Sequence, residues 1–131
     1  AGLEKFTNKK NLFDHHANNV DIHRHPCRIE LKKGMVLGFG DYPLMTADIT
    51  LCADTEQLNN QITPKGQLIG WYEKDKLLPL IVKDEQGRDK LSTLFYLKRG
   101  GIYTKQRLQI FMATKQLDIA TYDCLFYATL E

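Results

Sequence analysis

Apolar and polar residues alternate with a period of two through most of the chain after residue 26, the pattern of strands that bury one face. Cys27, Ile29 and Leu31 alternate with charged residues in this way. The last stretch, 122–130, is apolar on both sides, so we expect it to form a central strand that is buried on both faces. The predicted strands are 27–32, 35–39, 45–52, 68–72, 77–82, 91–97, 105–112 and 122–130.

Turn signals separate these strands at spacings of about ten residues. Residues 73–76 predict a hairpin that joins 68–72 to 77–82, and Arg99-Gly100-Gly101 predicts a second chain reversal. Helical segments are predicted over 54–62 and 113–120. Seven or eight strands joined mostly by hairpins are typical of a mainly β protein. We therefore expect an antiparallel sandwich or small barrel with one or two short helices, or an α+β variant of it.

The length of 131 residues suits one domain, which we assign to 1–131. Residues 1–26 are polar and rich in His and Asn, with a short helix predicted over 3–13 and a loop over 14–26. Residues 27–131 form the predicted β core. The formal net charge of +2 gives no bulk electrostatic reason to expect a nucleic-acid or membrane partner.

No apolar run approaches the roughly 20 residues that a membrane-spanning helix needs, so no membrane partner is expected. Three cysteines, Cys27, Cys52 and Cys124, are too few for a disulfide scaffold. Free thiols in a reducing cytoplasm are the simpler interpretation, and one disulfide with an odd thiol is the alternative. The alternation predicts that Cys52 is the most exposed of the three thiols.

All four histidines lie within eleven residues of the N-terminal segment. Imidazole is the commonest protein ligand of transition metals, and zinc prefers tetrahedral nitrogen and sulfur ligands. On an extended chain the last two histidines would share a face with the Cys27 thiol. A polar loop with solvated histidines, or a pH-responsive surface, explains the same residues. No other cofactor is expected; the candidate zinc ligands are His15, His16, His23 and His25.

A basic and aromatic stretch, 95–107, contains four cations and no anion. Aromatic platforms in a cationic groove bind single-stranded nucleic acid, so this stretch is a candidate site for it. A solvated strand edge explains the same residues, because natural edges carry Lys and Arg. The candidate nucleic-acid-binding residues are Tyr96, Lys98, Arg99, Tyr103, Lys105 and Arg107.

A second aromatic group contains Trp71, the only tryptophan of the chain. Tryptophan and tyrosine are enriched at interface hot spots, although packing within a sheet explains them equally well. The candidate interface residues are Phe39, Tyr42, Trp71 and Tyr72.

Catalytic signatures are weak, because the single serine, Ser92, lies in a strand pattern outside any G-x-S-x-G motif. No catalytic centre is therefore expected. The sequence favours a non-catalytic interaction protein that binds a protein partner or a second copy of itself. Metal binding, with possible hydrolytic activity, and binding of single-stranded nucleic acid are the alternatives.

Two segments resemble CheW-type chemotaxis adaptor domains. Val36-Leu37-Gly38-Phe39-Gly40 is similar to their opening hairpin. The stretch 67–82, QLIGWYEKDKLLPLIV, is similar to a later hairpin with a Leu-Pro pair. The resemblance covers residues 36–112 and implies a protein adaptor as one form of the interaction module.

Overall fold

A computed structural model describes residues 25–130. In this range ten strands form two five-stranded sheets, accompanied by two short helices and one 3-10 turn. The strands are β1 (Cys27–Leu31), β2 (Leu37–Gly40), β3 (Ile49–Cys52), β4 (Gln61–Thr63), β5 (Leu68–Tyr72), β6 (Leu80–Lys83), β7 (Phe95–Lys98), β8 (Gly101–Thr104), β9 (Leu108–Phe111) and β10 (Phe126–Leu130). The helices are α1 (Leu91–Leu94) and α2 (Leu117–Tyr122), and the 3-10 helix is Thr55–Leu58.

The first sheet has the strand order β4-β9-β10-β1-β6, and the second has the order β2-β3-β5-β8-β7. The prediction of a mainly β protein is therefore confirmed, and the two sheets are compatible with the sandwich form of that prediction. The described residues form ten strands in place of the seven or eight predicted. The final strand β10 lies at the centre of the first sheet, as the two-sided apolar pattern predicts. The reversal at Arg99-Gly100 is also confirmed, since β7 and β8 pair antiparallel across it.

The core lies between the two sheets and is built from alternate residues of most strands. Ile29 and Phe126 come from the first sheet, and Ile49, Leu51 and Ile102 from the second; all are at most 2% exposed. Burying such side chains contributes about 1.5–3 kcal/mol each relative to exposure. The two sheets are held together mainly by this apolar contact.

Two passages of the chain connect the sheets at one corner. The chain leaves β4 in the first sheet and enters β5 in the second, while β8 and β9 make the reverse passage beside it. Thr104, which is fully buried, joins the two passages. Its hydroxyl donates to the carbonyl oxygen of Pro64 at 2.7 Å and accepts from the amide of Gln67 at 2.9 Å.

The adjacent strands β2 and β3 pair in parallel, although only eight residues connect them. The connection folds back over the sheet, and Leu44 packs against the glycine face of β2. A Cβ on Gly38 would lie 2.7 Å from Leu44 Cδ1, so a larger residue here would push the Leu44 side chain aside. Parallel pairing places the carboxyl ends of both strands at the same edge.

The predicted hairpin of 68–72 with 77–82 is wrong. β5 pairs with β3 and β8 in the second sheet, whereas β6 pairs with β1 in the first. Leu77 is 85% exposed and precedes β6, so the apolar run 77–82 is only partly strand. This hairpin carried part of the resemblance to adaptor domains.

Several predicted boundaries also need correction. The predicted helix over 54–62 is a 3-10 turn followed by β4, because Asn60 adopts a left-handed φ of 64°. The predicted strand 91–97 begins as helix α1. Strand β3 is shorter than predicted, with Met45 fully exposed before it. Helix α2 extends to Tyr122, so the last strand starts later than predicted.

Candidate functional site

The second sheet packs one face against the core, and its opposite face, called here the outer face, carries aromatic side chains. Trp71 on β5 is paired with Thr50 on β3 and with Gly101 on β8. Direct cross-strand partners project to the same side of a sheet. Because the neighbours Leu51 and Ile102 are core residues, Trp71 lies on the outer face.

Tyr103 and Tyr96 continue this outer face towards the sheet edge. They are direct partners on β8 and β7, and their rings stack with centroids 5.3 Å apart and an interplanar angle of 16°. Tyr96 is 38% exposed on the edge strand. We call Trp71, Tyr103 and Tyr96 the aromatic row.

Two cavities flank Trp71 on the outer face. The first, called the acidic cavity, has a volume of about 430 Å³ and is lined by Asp41, Cys52, Asp54, Gln57, Gln67 and Trp71, among others. The second, called the mixed cavity, has a volume of about 360 Å³. Its charged lining residues are Asp48, Glu73, Lys74, Lys76 and Arg99. One indole therefore separates two recesses of different charge.

The two carboxylates of the acidic cavity come from the ends of the parallel strands. Asp41 directly follows β2, and Asp54 comes two residues after β3. The register pairs Gly40 with Cys52, and the Ala53 amide donates to the Gly40 carbonyl at 3.0 Å. Parallel pairing thus brings together two acidic residues that are thirteen positions apart.

The pKa of the Cys52 thiol reflects the burial and the negative charge of this cavity. Its pKa is raised from 9.0 to about 11, mainly by burial and further by the carboxylates of Asp54 and Asp41. Its Sγ lies 3.6 Å from the carbonyl oxygen of Leu68. Because thiolate is the nucleophilic form, Cys52 is a poor nucleophile at neutral pH.

The predicted exposure order of the cysteines is confirmed, since Cys52 is partly exposed while Cys27 and Cys124 are buried. All three thiols are free. The sequence alternation predicts this because Cys52 lies on the outer face, opposite to its core neighbour Leu51.

Three of the six residues predicted for nucleic-acid binding share the outer face, namely Tyr96, Lys98 and Tyr103. Arg99 lies in the β7–β8 turn and lines the mixed cavity. Lys105 donates from Nζ to the Ser92 carbonyl at 3.0 Å, beside α1. Arg107 is exposed in the connection between the sheets. The structure therefore brings together part of this set.

The predicted interface group is divided between the two faces of the second sheet. Phe39 and Tyr72 pack against the core, while Trp71 lies on the outer face. Tyr42, 67% exposed, lies in the connection after β2. The carboxylates of Asp41 and Asp54 were not predicted.

Of the predicted zinc ligands, only His25 falls among the described residues; His15, His16 and His23 lie outside them. His25 Nδ1 lies 2.8 Å from Glu85 Oε1 at the surface. It lines a cavity of about 350 Å³ together with Cys27. Among residues 25–130, no three His, Cys, Asp or Glu side chains are grouped as metal ligands would be. The zinc site remains a prediction.

No helix in the described part of the chain is both long and apolar enough to cross a bilayer. Comparison with protein-family models, with curated proteins and with solved structures gives no match.

Proposed function

We propose that the protein is a non-catalytic binding module whose outer face, centred on Trp71, binds a polypeptide segment of a protein partner. The observation that carries this proposal is the position of Trp71 between two cavities on an aromatic sheet face. Tryptophan, tyrosine and arginine are the residues most enriched at interface hot spots. The aromatic row supplies the first two, and Arg99 lies beside it.

A polypeptide suits this face better than one compact small molecule does. The two cavities lie on either side of one indole, so a single extended chain can place a side chain in each of them. Their charges differ, and a polypeptide can carry side chains that match both. A protein adaptor role is one form of this proposal.

The experiment is peptide selection on the immobilised full chain from a random linear library displayed on phage. The affinity of each synthetic peptide is then measured by fluorescence anisotropy for wild type and Trp71→Ala. We expect Trp71→Ala to weaken binding by tenfold or more, the effect of losing a hot spot of about 2 kcal/mol. Tyr96→Ser is a second variant that leaves the core intact, because this ring is 38% exposed at an edge.

Tyr122→Ala is the matched control, since Tyr122 is an 86% exposed aromatic residue on α2, away from both cavities. It should bind peptides as wild type does. Failure to select any peptide, or equal binding by wild type and Trp71→Ala, contradicts the proposal. A dimer in sedimentation velocity that Trp71→Ala abolishes would instead make a second copy of this chain the partner.

Binding of single-stranded nucleic acid is the second candidate, favoured by the Tyr96–Tyr103 stack with Lys98 beside it. Stacking of bases on aromatic rings and phosphate contacts from cations support such binding. The test is anisotropy of a labelled oligothymidine at low salt. Lys98→Ala should weaken binding and flatten its salt dependence. No binding by wild type at low salt rejects this candidate.

A further inference from the structure

We propose that the acidic cavity receives the cationic side chain of a lysine or arginine from the partner polypeptide. This inference rests on the proposed function and names the chemistry that the partner must supply. The acidic cavity and the mixed cavity would then be two chemically distinct subsites on either side of Trp71.

The charge of the cavity is the first argument. Asp41 and Asp54 both line it, and among residues 25–130 its lining contains no Lys, Arg or His. Within residues 25–130, neither carboxylate has a hydrogen bond or an ion pair, and Asp54 makes no side-chain cap at the 3-10 helix. Two carboxylates that have no partner among these residues, beside one recess, attract a cation and repel an anion.

The aromatic wall is the second and independent argument. Trp71 lines the same cavity, and indole is the best aromatic partner for ammonium and guanidinium groups. The methylene stem of a Lys or Arg side chain can pack on the ring while its charge approaches the carboxylates. Gln57 and Gln67 add amide oxygens that accept hydrogen bonds from the same donors.

The Cys52 thiol gives a third indication from inside the cavity. The carboxylates of Asp54 and Asp41 add to burial in raising its pKa, so an anion at this position is disfavoured. Burial penalises a charge of either sign, whereas the two carboxylates favour a cation at the same place.

The mixed cavity, unlike the acidic cavity, is lined by cationic as well as anionic side chains. Lys74, Lys76 and Arg99 line it together with Asp48 and Glu73. The Asp48 carboxylate is already engaged, because it accepts from the Val36 amide at 2.7 Å. We therefore expect the basic residue of the partner on the acidic side of Trp71 and not on the other.

The test uses the peptides selected on the full chain. Their sequences are compared for Lys and Arg content, and each synthetic peptide is paired with a version in which the basic residue is norleucine. Binding is measured through the fluorescence of Trp71, the only tryptophan of the chain. The protein variants are Asp41→Asn and Asp54→Asn, singly and together, which remove the charges but keep the shapes. Asp118→Asn on α2 is the control for loss of an exposed carboxylate outside both cavities.

We expect the selected peptides to be enriched in Lys or Arg. The norleucine version and the double Asn variant should each bind about tenfold more weakly, and the two changes combined should cost little more than either alone. Asp118→Asn should bind as wild type does.

The failures of the two proposals are distinguishable. Peptides that bind through Trp71 without a basic residue, or with equal affinity to the Asn variants, overturn the cation subsite and leave the binding module standing. Absence of any Trp71-dependent peptide overturns both.

Discussion

The ring of Tyr103 lies over Gly101, the residue that faces Trp71 across β5 and β8. A Cβ at Gly101 would be 2.7 Å from Tyr103 Cε1 and 3.1 Å from its hydroxyl oxygen. The missing side chain therefore lets Tyr103 lie along its own strand and stack on Tyr96. The aromatic row depends on this glycine.

Gly101→Ala is predicted to displace the Tyr103 ring and break its stack with Tyr96. An aromatic pair contributes about 0.5–1.5 kcal/mol beyond burial, so we expect a loss of that size in the free energy of unfolding. Urea denaturation measures it. In a Tyr103→Ser background the same substitution should cost much less. An equal cost in both backgrounds would show that the ring contact is not the cause.

Gly70→Ala is predicted to destabilise the second sheet more strongly. The added Cβ would collide with the carbonyl oxygen of Thr50 and lie 3.1 Å from Leu51 Cα, and backbone atoms in a central strand cannot move aside. We expect a loss of about 2–3 kcal/mol by urea denaturation, in the range for overpacking. Gly40→Ala is the control, because its nearest neighbour would be 3.5 Å away. Similar losses for both variants would contradict this explanation.

Thr104→Val is predicted to weaken the corner between the sheets. Valine keeps the shape but leaves the Gln67 amide and the Pro64 carbonyl without their side-chain partner. Both hydrogen bonds are partly buried, and losing such a bond costs about 0.5–1.5 kcal/mol. Thermal unfolding would measure the loss. Thr104→Ser keeps the hydroxyl and should retain most of the stability. If serine costs more than valine, the hydroxyl is not what holds the corner.

Alkylation of Cys52 is predicted to be slow at neutral pH. With its pKa at about 11, its rate with iodoacetamide should rise about tenfold for each pH unit between 8 and 10. Because folding raises this pKa, the thiol stabilises the fold below about pH 9 and loses that contribution as the pH rises towards 11. Peptide mapping by mass spectrometry separates Cys52 from the two buried thiols.

Asp54→Asn removes a neighbouring anion and should accelerate the reaction of Cys52 at pH 8. A rate that levels off near pH 8.5 in the folded wild type would contradict the raised pKa. Asp118→Asn should leave the rate unchanged.

Some local features of this fold could be predicted from the sequence, because local signals specify them. Period-two alternation was enough for β1 and β9, and the Arg99-Gly100 turn was enough for the β7–β8 hairpin, where φ values of 53° and 82° suit a tight reversal. The assignment of strands to sheets could not be predicted in this way. The sequence of residues 73–76 predicts a hairpin turn, but the chain crosses to the other sheet between β5 and β6.

The candidate site was only partly predictable for the same reason. Trp71 could be named as a candidate interface residue by its type alone. Asp41 and Asp54 could not, since they come together only because β2 and β3 pair in parallel. The one sequence signal of that arrangement is the spacing of Gly38 and Gly40, which opens one face of β2 to Leu44.

A two-dimensional amide NMR titration of the ¹⁵N-labelled full chain with a selected peptide locates the binding face of the protein. We predict that shift changes concentrate on the Trp71 indole, on the Asp41–Asp54 edge and on the β7–β8 hairpin. Changes concentrated on the first sheet, around Arg28 and Tyr127, with the Trp71 indole unmoved, would contradict it.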